Sequence, residues 1–148
     1  MSQSLDNHKS EDHDLLLSLR DRQLRTLFET TLDAIALSDS QGRYIDVNPA
    51  ACELFGIERE QLLGRCIIEF TEPDFNFQAA SQQFQQQEKM RGELSLVRAD
   101  GQIRVVEYVT KANFLPHRHL SVMRDITKRK LAEIQVQELK DQLQQAHN

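Results

Sequence analysis

The sequence predicts an α+β domain built on one antiparallel sheet, and three observations predict it. Residues 34–47 read as a hairpin, residues 92–125 carry three further strands, and short helical segments fill the interval between them. Strands at both ends of a domain with helices between them make an α+β arrangement, the helices segregated onto the sheet. The 148 residues fit one such domain of ordinary size with flanking helix.

Residues 1–14 carry Asp6, Glu11, Asp12 and Asp14 and almost nothing apolar, so a disordered tail is expected. Asp14 can cap a helix over 15–32, in which Leu17, Leu24, Leu27, Phe28 and Leu32 recur at helical spacing. Leu15, Leu16 and Leu19 widen its apolar stripe, the pattern of a helix with a second partner. Ala34–Leu37 and Tyr44–Val47 are strands joined by the turn Asp39-Ser40-Gln41-Gly42. Asn48 is a good N-cap, Pro49 suits the first helical position, and Gly56 ends the short helix. Glu58–Leu63 reads as another short helix, stopped by Gly64. Thr71-Glu72-Pro73 opens a polar segment containing "SQQFQQQEK", read as helical with Phe75, Phe77 and Phe84 as its anchors.

The run "GELSLVRADGQIRVVEYVTKANF" is a hairpin turning at Ala99-Asp100-Gly101, followed by the turn "LPHR" and a strand over His119–Asp125. Val106 and Tyr108 point one way while Ile103, Val105 and Val109 point the other; Ser121 and Met123 oppose Leu120 and Val122 in the same manner. A sheet with one wet face alternates cleanly, and this one does not, so both faces are expected to be buried, with the helix over 15–32 as the obvious cover. From Ile126 the chain turns polar and helical. Val136, Leu139, Leu143 and Ala146 fall at 3-4-3 spacing, a coiled-coil seam, with Leu131 and Ile134 slightly out of register before it. The chain therefore divides into a tail (1–14), an amphipathic helix (15–32), a domain (33–126) and a coiled-coil helix (127–148).

Composition excludes several functions. Net charge is −5 with acids and bases interspersed, which argues against a nucleic-acid surface. No apolar run approaches the ~18 residues of a membrane helix, and the polar N-terminus is unlike a secretory signal, so a soluble cytoplasmic protein without membrane contact is expected. Cys52 and Cys66 form no framework and read as small, reduced core residues. His117 and His119 flank Arg118 at strand spacing, too few ligands for a metal site, and His8 and His13 lie in the tail. There is no nucleophile set beside a base, no P-loop and no dinucleotide fingerprint, so no catalytic residue is expected and the chain is not expected to be an enzyme.

The spacing of Gly42 and Ile45, Asn48, Ala51, Leu54-Phe55-Gly56, Leu62, Gly64, the Asp100-Gly101 hairpin and the closing "RDITKRK" (124–130) resembles a PAS sensory domain over residues 24–130. The resemblance implies a five-stranded antiparallel sheet in the order 2-1-5-4-3, with helices covering one face and able to enclose a small-molecule cavity. It implies that the other face is covered by an N-terminal helix or a second subunit, and that Asn48-Pro49 is a mark of the fold. Strand parity matched to the family places Phe84, Leu94, Leu96, Tyr108 and Met123 around the cavity, with Tyr108 and Arg98 as polar handles for a small, largely apolar, colourless ligand. Haem-binding relatives need an imidazole on the long helix, and residues 75–90 contain no histidine. Flavin photoreceptors need a cysteine within an "Asn-Cys-Arg-Phe-Leu-Gln"-like motif; "GRCIIEF" places Cys66 one position too early and lacks the rest. No cofactor is expected.

In "DITKRK" the resemblance assigns signal transfer to Asp125, Thr127 and Arg129. Asp125 can cap the output helix, and Arg129, one turn on, is expected to pair with it. Leu17, Leu24 and Phe28 on the N-terminal helix and Val136, Leu139 and Leu143 on the C-terminal one are expected at a homodimer interface. The function implied is a sensor and dimerisation domain of the two-component kind. It passes a ligand or partner signal through the coiled coil to a kinase or nucleotide-cyclase effector, in cis or in trans. The alternative is a structural dimerisation module whose cavity is filled by side chains.

Overall fold

Period-2 alternation at the two ends of the domain produces one sheet. In the computed structural model, which describes residues 15, 18–73, 75, 76, 78, 82, 84 and 87–147, it comprises β1 (Ala34–Ser38), β2 (Tyr44–Val47), β3 (Lys89–Val97), β4 (Ile103–Leu115) and β5 (Arg118–Asp125). All pairings are antiparallel and the order is β2-β1-β5-β4-β3, so the first strand lies beside the last. The register sets the rows of the inner face. Gly92, Tyr108, Met123 and Ala34 form one row, and Met90, Thr110, Ser121, Ala36 and Val47 the next.

Helix α1 (18–30) belongs to a separate unit, Met1–Leu32. In it Arg25 pairs with Glu29 at 3.2 Å and stacks on Phe28, while Leu24 and Leu27 are exposed. The expectations for residues 1–14, Leu16, Leu17 and Phe77 lie outside the described residues.

Helix α2 (Pro49–Phe55) starts where the sequence predicts, with Asn48 as N-cap and Pro49 in the first turn. Asn48 is fully buried and does more than cap. Its Oδ1 accepts from Ala51 N–H at 3.0 Å and from Ile35 N–H at 2.9 Å, and its Nδ2 donates to Asp33 O at 3.0 Å. One side chain thus fastens the helix start to β1. At the other end Gly56 has φ 70°, and an added Cβ would come within 3.0 Å of the Arg98 guanidinium. Glycine serves there both for the left-handed turn and for this close approach. Helix α3 (Arg59–Leu62), a 3₁₀ turn (Ile67–Phe70) and helical positions at Gln78, Gln82, Phe84 and Gln87 continue the layer. Phe55, Leu62 and Phe70 from this layer meet Ala36, Leu94, Leu96 and Val106 from the sheet, and Phe55 takes Tyr44 and Phe70 edge-on at 5.8 and 4.9 Å.

Three expectations are revised. Strand β3 starts at Lys89, ahead of the alternating run, because its backbone pairs with β4 as far as Lys89–Lys111 although these side chains are polar. The Ile67–Phe70 turn is an additional element, closed by Glu69, whose carboxylate accepts from Cys66 N–H at 3.1 Å. On the inner face Ala34, Ala36, Leu94, Leu96, Val106, Tyr108 and Met123 are buried while Met90, Thr110, His119 and Ser121 are half-buried; on the outer face Ile35, Leu37, Val105, Val109, Leu120 and Val122 are only half-buried and Ile103 is 51% exposed.

Ile126, buried and bonded through its N–H to Val105 O, ends the sheet, and helix α4 (Thr127–His147) leaves it with Leu131, Ile134, Val136, Leu139 and Leu143 all exposed.

Candidate functional site: a cavity on the sheet and its attachment to the last helix

The inner-face rows that contain small residues leave room between sheet and helices. A cavity of about 410 Å³ opens there, lined from the sheet by Ser38, Met90, Leu94, Tyr108, Thr110, His119, Ser121 and Met123 and from the opposite side by Phe75, Phe84, Ile67 and Ile68. Gln41 and Tyr44 also line it, and part of its polar lining forms a group on β4 and β5. Thr110 and Ser121, opposite each other on β4 and β5, join hydroxyls at 2.8 Å. His119 lies at the next inward position of β5, paired with Ser38. Its Nδ1 accepts from Asn113 N–H at 3.1 Å, and its ring meets Phe84 edge-on at 5.1 Å. Burial pushes the Tyr44 and Tyr108 hydroxyls above the ordinary tyrosine range, so both phenols are neutral at physiological pH.

Of the residues expected around the cavity, Phe84, Leu94, Tyr108 and Met123 line it. Leu96 and Arg98 do not. Leu96 has the right parity but lies farther along β3, fully buried in the core. Arg98, at the end of the strand, donates to Glu53 O at 2.7 Å and approaches Asp100 at 3.3 Å, tying β3 to the C-terminus of α2. Thr110, His119 and Ser121 were missed by the sequence reading. Their signal was present, since they share inward parity with Tyr108 and Met123. Cys66 also lines the cavity, and Cys52 packs against the core.

Gly92 faces Tyr108 across the pair, and a Cβ there would come 2.9 Å from Tyr108 Oη. Gly92→Ala is therefore expected to push the ring toward the cavity and cost about 1–3 kcal/mol. Adding Tyr108→Phe, which removes the nearest atom, should recover most of that loss in urea denaturation.

Strand β5, on the floor of the cavity, runs on through Ile126 into α4. Asp125 Oδ1 accepts from Thr127 N–H at 2.9 Å and from its hydroxyl, while Thr127 Oγ1 accepts from Val105 N–H at 2.9 Å. The expected Asp125–Arg129 pair is not the one formed. Arg129 Nη2 reaches Glu107 Oε2 at 3.1 Å, and the cation nearest Asp125 is Arg104 at 3.9 Å. The reason is on the sheet. Glu93 and Glu107 are cross-strand neighbours on the outer face, and like charges placed opposite each other repel. Arg129 neutralises Glu107 and Lys130 neutralises Glu93 at 3.0 Å, a hydrogen bond that also raises the lysine pKa. Beside them Arg124 binds Asp33 through both carboxylate oxygens.

A five-stranded antiparallel sheet in this order, helices over one face and a cavity between the layers define the sensory-domain class to which the sequence pointed. The chain belongs to the PAS fold family, whose sequence pattern matches residues 22–126. It is 26% identical over 139 residues to sporulation kinase E of Bacillus subtilis (strain 168), covering 93% of this chain and 19% of the length of that kinase. It is similar to the PAS domain of an HTR-like protein from Haloarcula marismortui, with 28% identity and TM-score 0.66, covering 78% of this chain and 99% of that one. A domain of a sensory box sensor histidine kinase/response regulator from Geobacter sulfurreducens is 30% identical with TM-score 0.63, covering 74% and 96%.

Proposed function

We propose that this PAS domain is the cytoplasmic sensor portion of a signalling protein with a histidine-kinase-type effector. It contributes no catalytic residue and carries neither haem nor a covalently linked flavin. Occupancy of the cavity by a small molecule alters the sheet, and the change passes through α4 to the effector. The sensor works as a homodimer through the apolar positions of α1 and α4, among them Leu24, Phe28, Val136, Leu139 and Leu143. The observation that carries this reading is the sharing of strands. Tyr108, on the cavity, is followed back along β4 by Glu107, the partner of Arg129, and Met123 lies two residues before Asp125, which caps α4. The sensor histidine kinase named among the similar structures supports the choice of effector.

The test joins residues 1–148 to a histidine-kinase transmitter and measures autophosphorylation. Ser121→Leu, which fills the cavity from its floor, is expected to shift activity severalfold from wild type, whereas the exposed control Lys140→Ala leaves it unchanged. A folded Ser121→Leu fusion with wild-type activity would sink the reading.

A further inference from the structure

The chemistry of the cavity wall selects among ligands. We infer that it takes a neutral molecule with an apolar body and a carbonyl head, and that His119 is the residue that recognises the head. This rests on the sensor reading above and concerns what the sensor binds. The described residues lining the cavity include no Asp, Glu, Lys or Arg, and residues 75–87 contain no charged residue in sequence. An ionised ligand would enter without a counter-charge, and a buried unpaired charge is strongly disfavoured. The volume, about 410 Å³, falls near the lower end of the ~300–1,000 Å³ range of ligand pockets, which suits a compact molecule.

The polar lining comprises Ser38, Gln41, Tyr44 and Tyr108 together with Thr110, Ser121 and His119, and these last three stand together on β4 and β5. Asn113 N–H occupies His119 Nδ1 as an acceptor, which makes the ring the Nε2–H tautomer. What the imidazole can offer a ligand is therefore a donor. The Thr110–Ser121 pair uses one hydroxyl hydrogen internally and leaves one more to give. A carbonyl oxygen accepts from both sources. Phe84 against the imidazole holds the ring in place, and Met90, Leu94, Phe75 and Met123 surround the rest of the ligand.

Three probes of nearly equal size separate the possibilities: acetophenone, benzoate and ethylbenzene, each titrated into the full chain by ¹H–¹⁵N NMR. Acetophenone is expected to bind saturably and to shift the amides of Thr110, His119 and Ser121. Benzoate is expected to bind at least about thirtyfold more weakly. His119→Phe keeps an aromatic ring against Phe84 and removes the donor. It should weaken acetophenone about three- to tenfold and leave ethylbenzene within about twofold. Thr110→Val, an independent variant, should act in the same direction. Benzoate binding as tightly as acetophenone, or both variants leaving acetophenone unchanged, would overturn the ligand class while the cavity remains a binding site. If none of the three probes shifts a cavity resonance, the sensor reading fails together with the ligand class.

Discussion

Asn48→Ala is expected to lower the unfolding free energy by about 3 kcal/mol. Loss of an N-cap alone costs roughly 0.5–2 kcal/mol. Here the same oxygen also holds Ile35 N–H, and the amide nitrogen holds Asp33 O. Each partner left without a bond in a dry setting adds about 1–3 kcal/mol, at the lower end for these part-buried groups. Against a total of ~5–15 kcal/mol, this is a large fraction of the stability of the domain. Asn48→Ser separates the contributions, because its hydroxyl keeps a neutral N-cap oxygen for Ala51 while the amide donor to Asp33 is lost. It should lose clearly less than Asn48→Ala in urea melts with an unchanged slope. Equal losses in the two variants would show that the bonds to Ile35 and Asp33 carry the effect and that capping is incidental.

Asn48 also shows how much of this protein was legible in sequence. Asn-Pro before a short apolar helix and a glycine after it is a local signal, since cap, first turn and stop are set by neighbours in the chain. The Asp100-Gly101 hairpin is local in the same way: Asp100 Oδ1 accepts from Gln102 N–H at 3.0 Å, a bond that lowers the pKa of its carboxyl. Inward parity is nearly local, and it brought Leu94, Tyr108 and Met123 to the cavity wall. What parity cannot give is position along the strand. Leu96 shares the face of Leu94, yet one pair of residues farther on the cavity has ended and the core begins. The second role of Asn48, at Ile35 and Asp33, depends on β2 folding back beside β1, and Arg98 reaches carbonyls 45 and 44 residues away. Bonds of that separation come from the assembled sheet, and no window of sequence contains them.

The junction gives the other large effect, on signalling rather than stability. In the fusion to a histidine-kinase transmitter, Glu107→Gln and Arg129→Gln are each expected to leave the domain folded. The pair is half-exposed, at 42% and 51%, and such pairs contribute about 0–1 kcal/mol. Thr127→Val should cost more, about 1–2 kcal/mol, because Val105 N–H loses its acceptor and Asp125 loses a donor. All three loosen the first turn of α4 from β4, the strand that carries Tyr108 at the cavity. Each is therefore expected to abolish most of the change in autophosphorylation that Ser121→Leu produces in the otherwise wild-type fusion. A double-mutant cycle identifies the partner. Glu107→Gln and Arg129→Gln should be non-additive, whereas Asp125→Asn and Arg129→Gln should add, since Arg129 meets Glu107 rather than Asp125. Exchanging the charges, Glu107→Arg with Arg129→Glu, should restore part of the response. Coupling found between Asp125 and Arg129, with none between Glu107 and Arg129, would return signal transfer to the pair suggested by sequence spacing. A full response in every variant would mean that α4 follows the cavity without this ion pair and without the Thr127 bond to Val105.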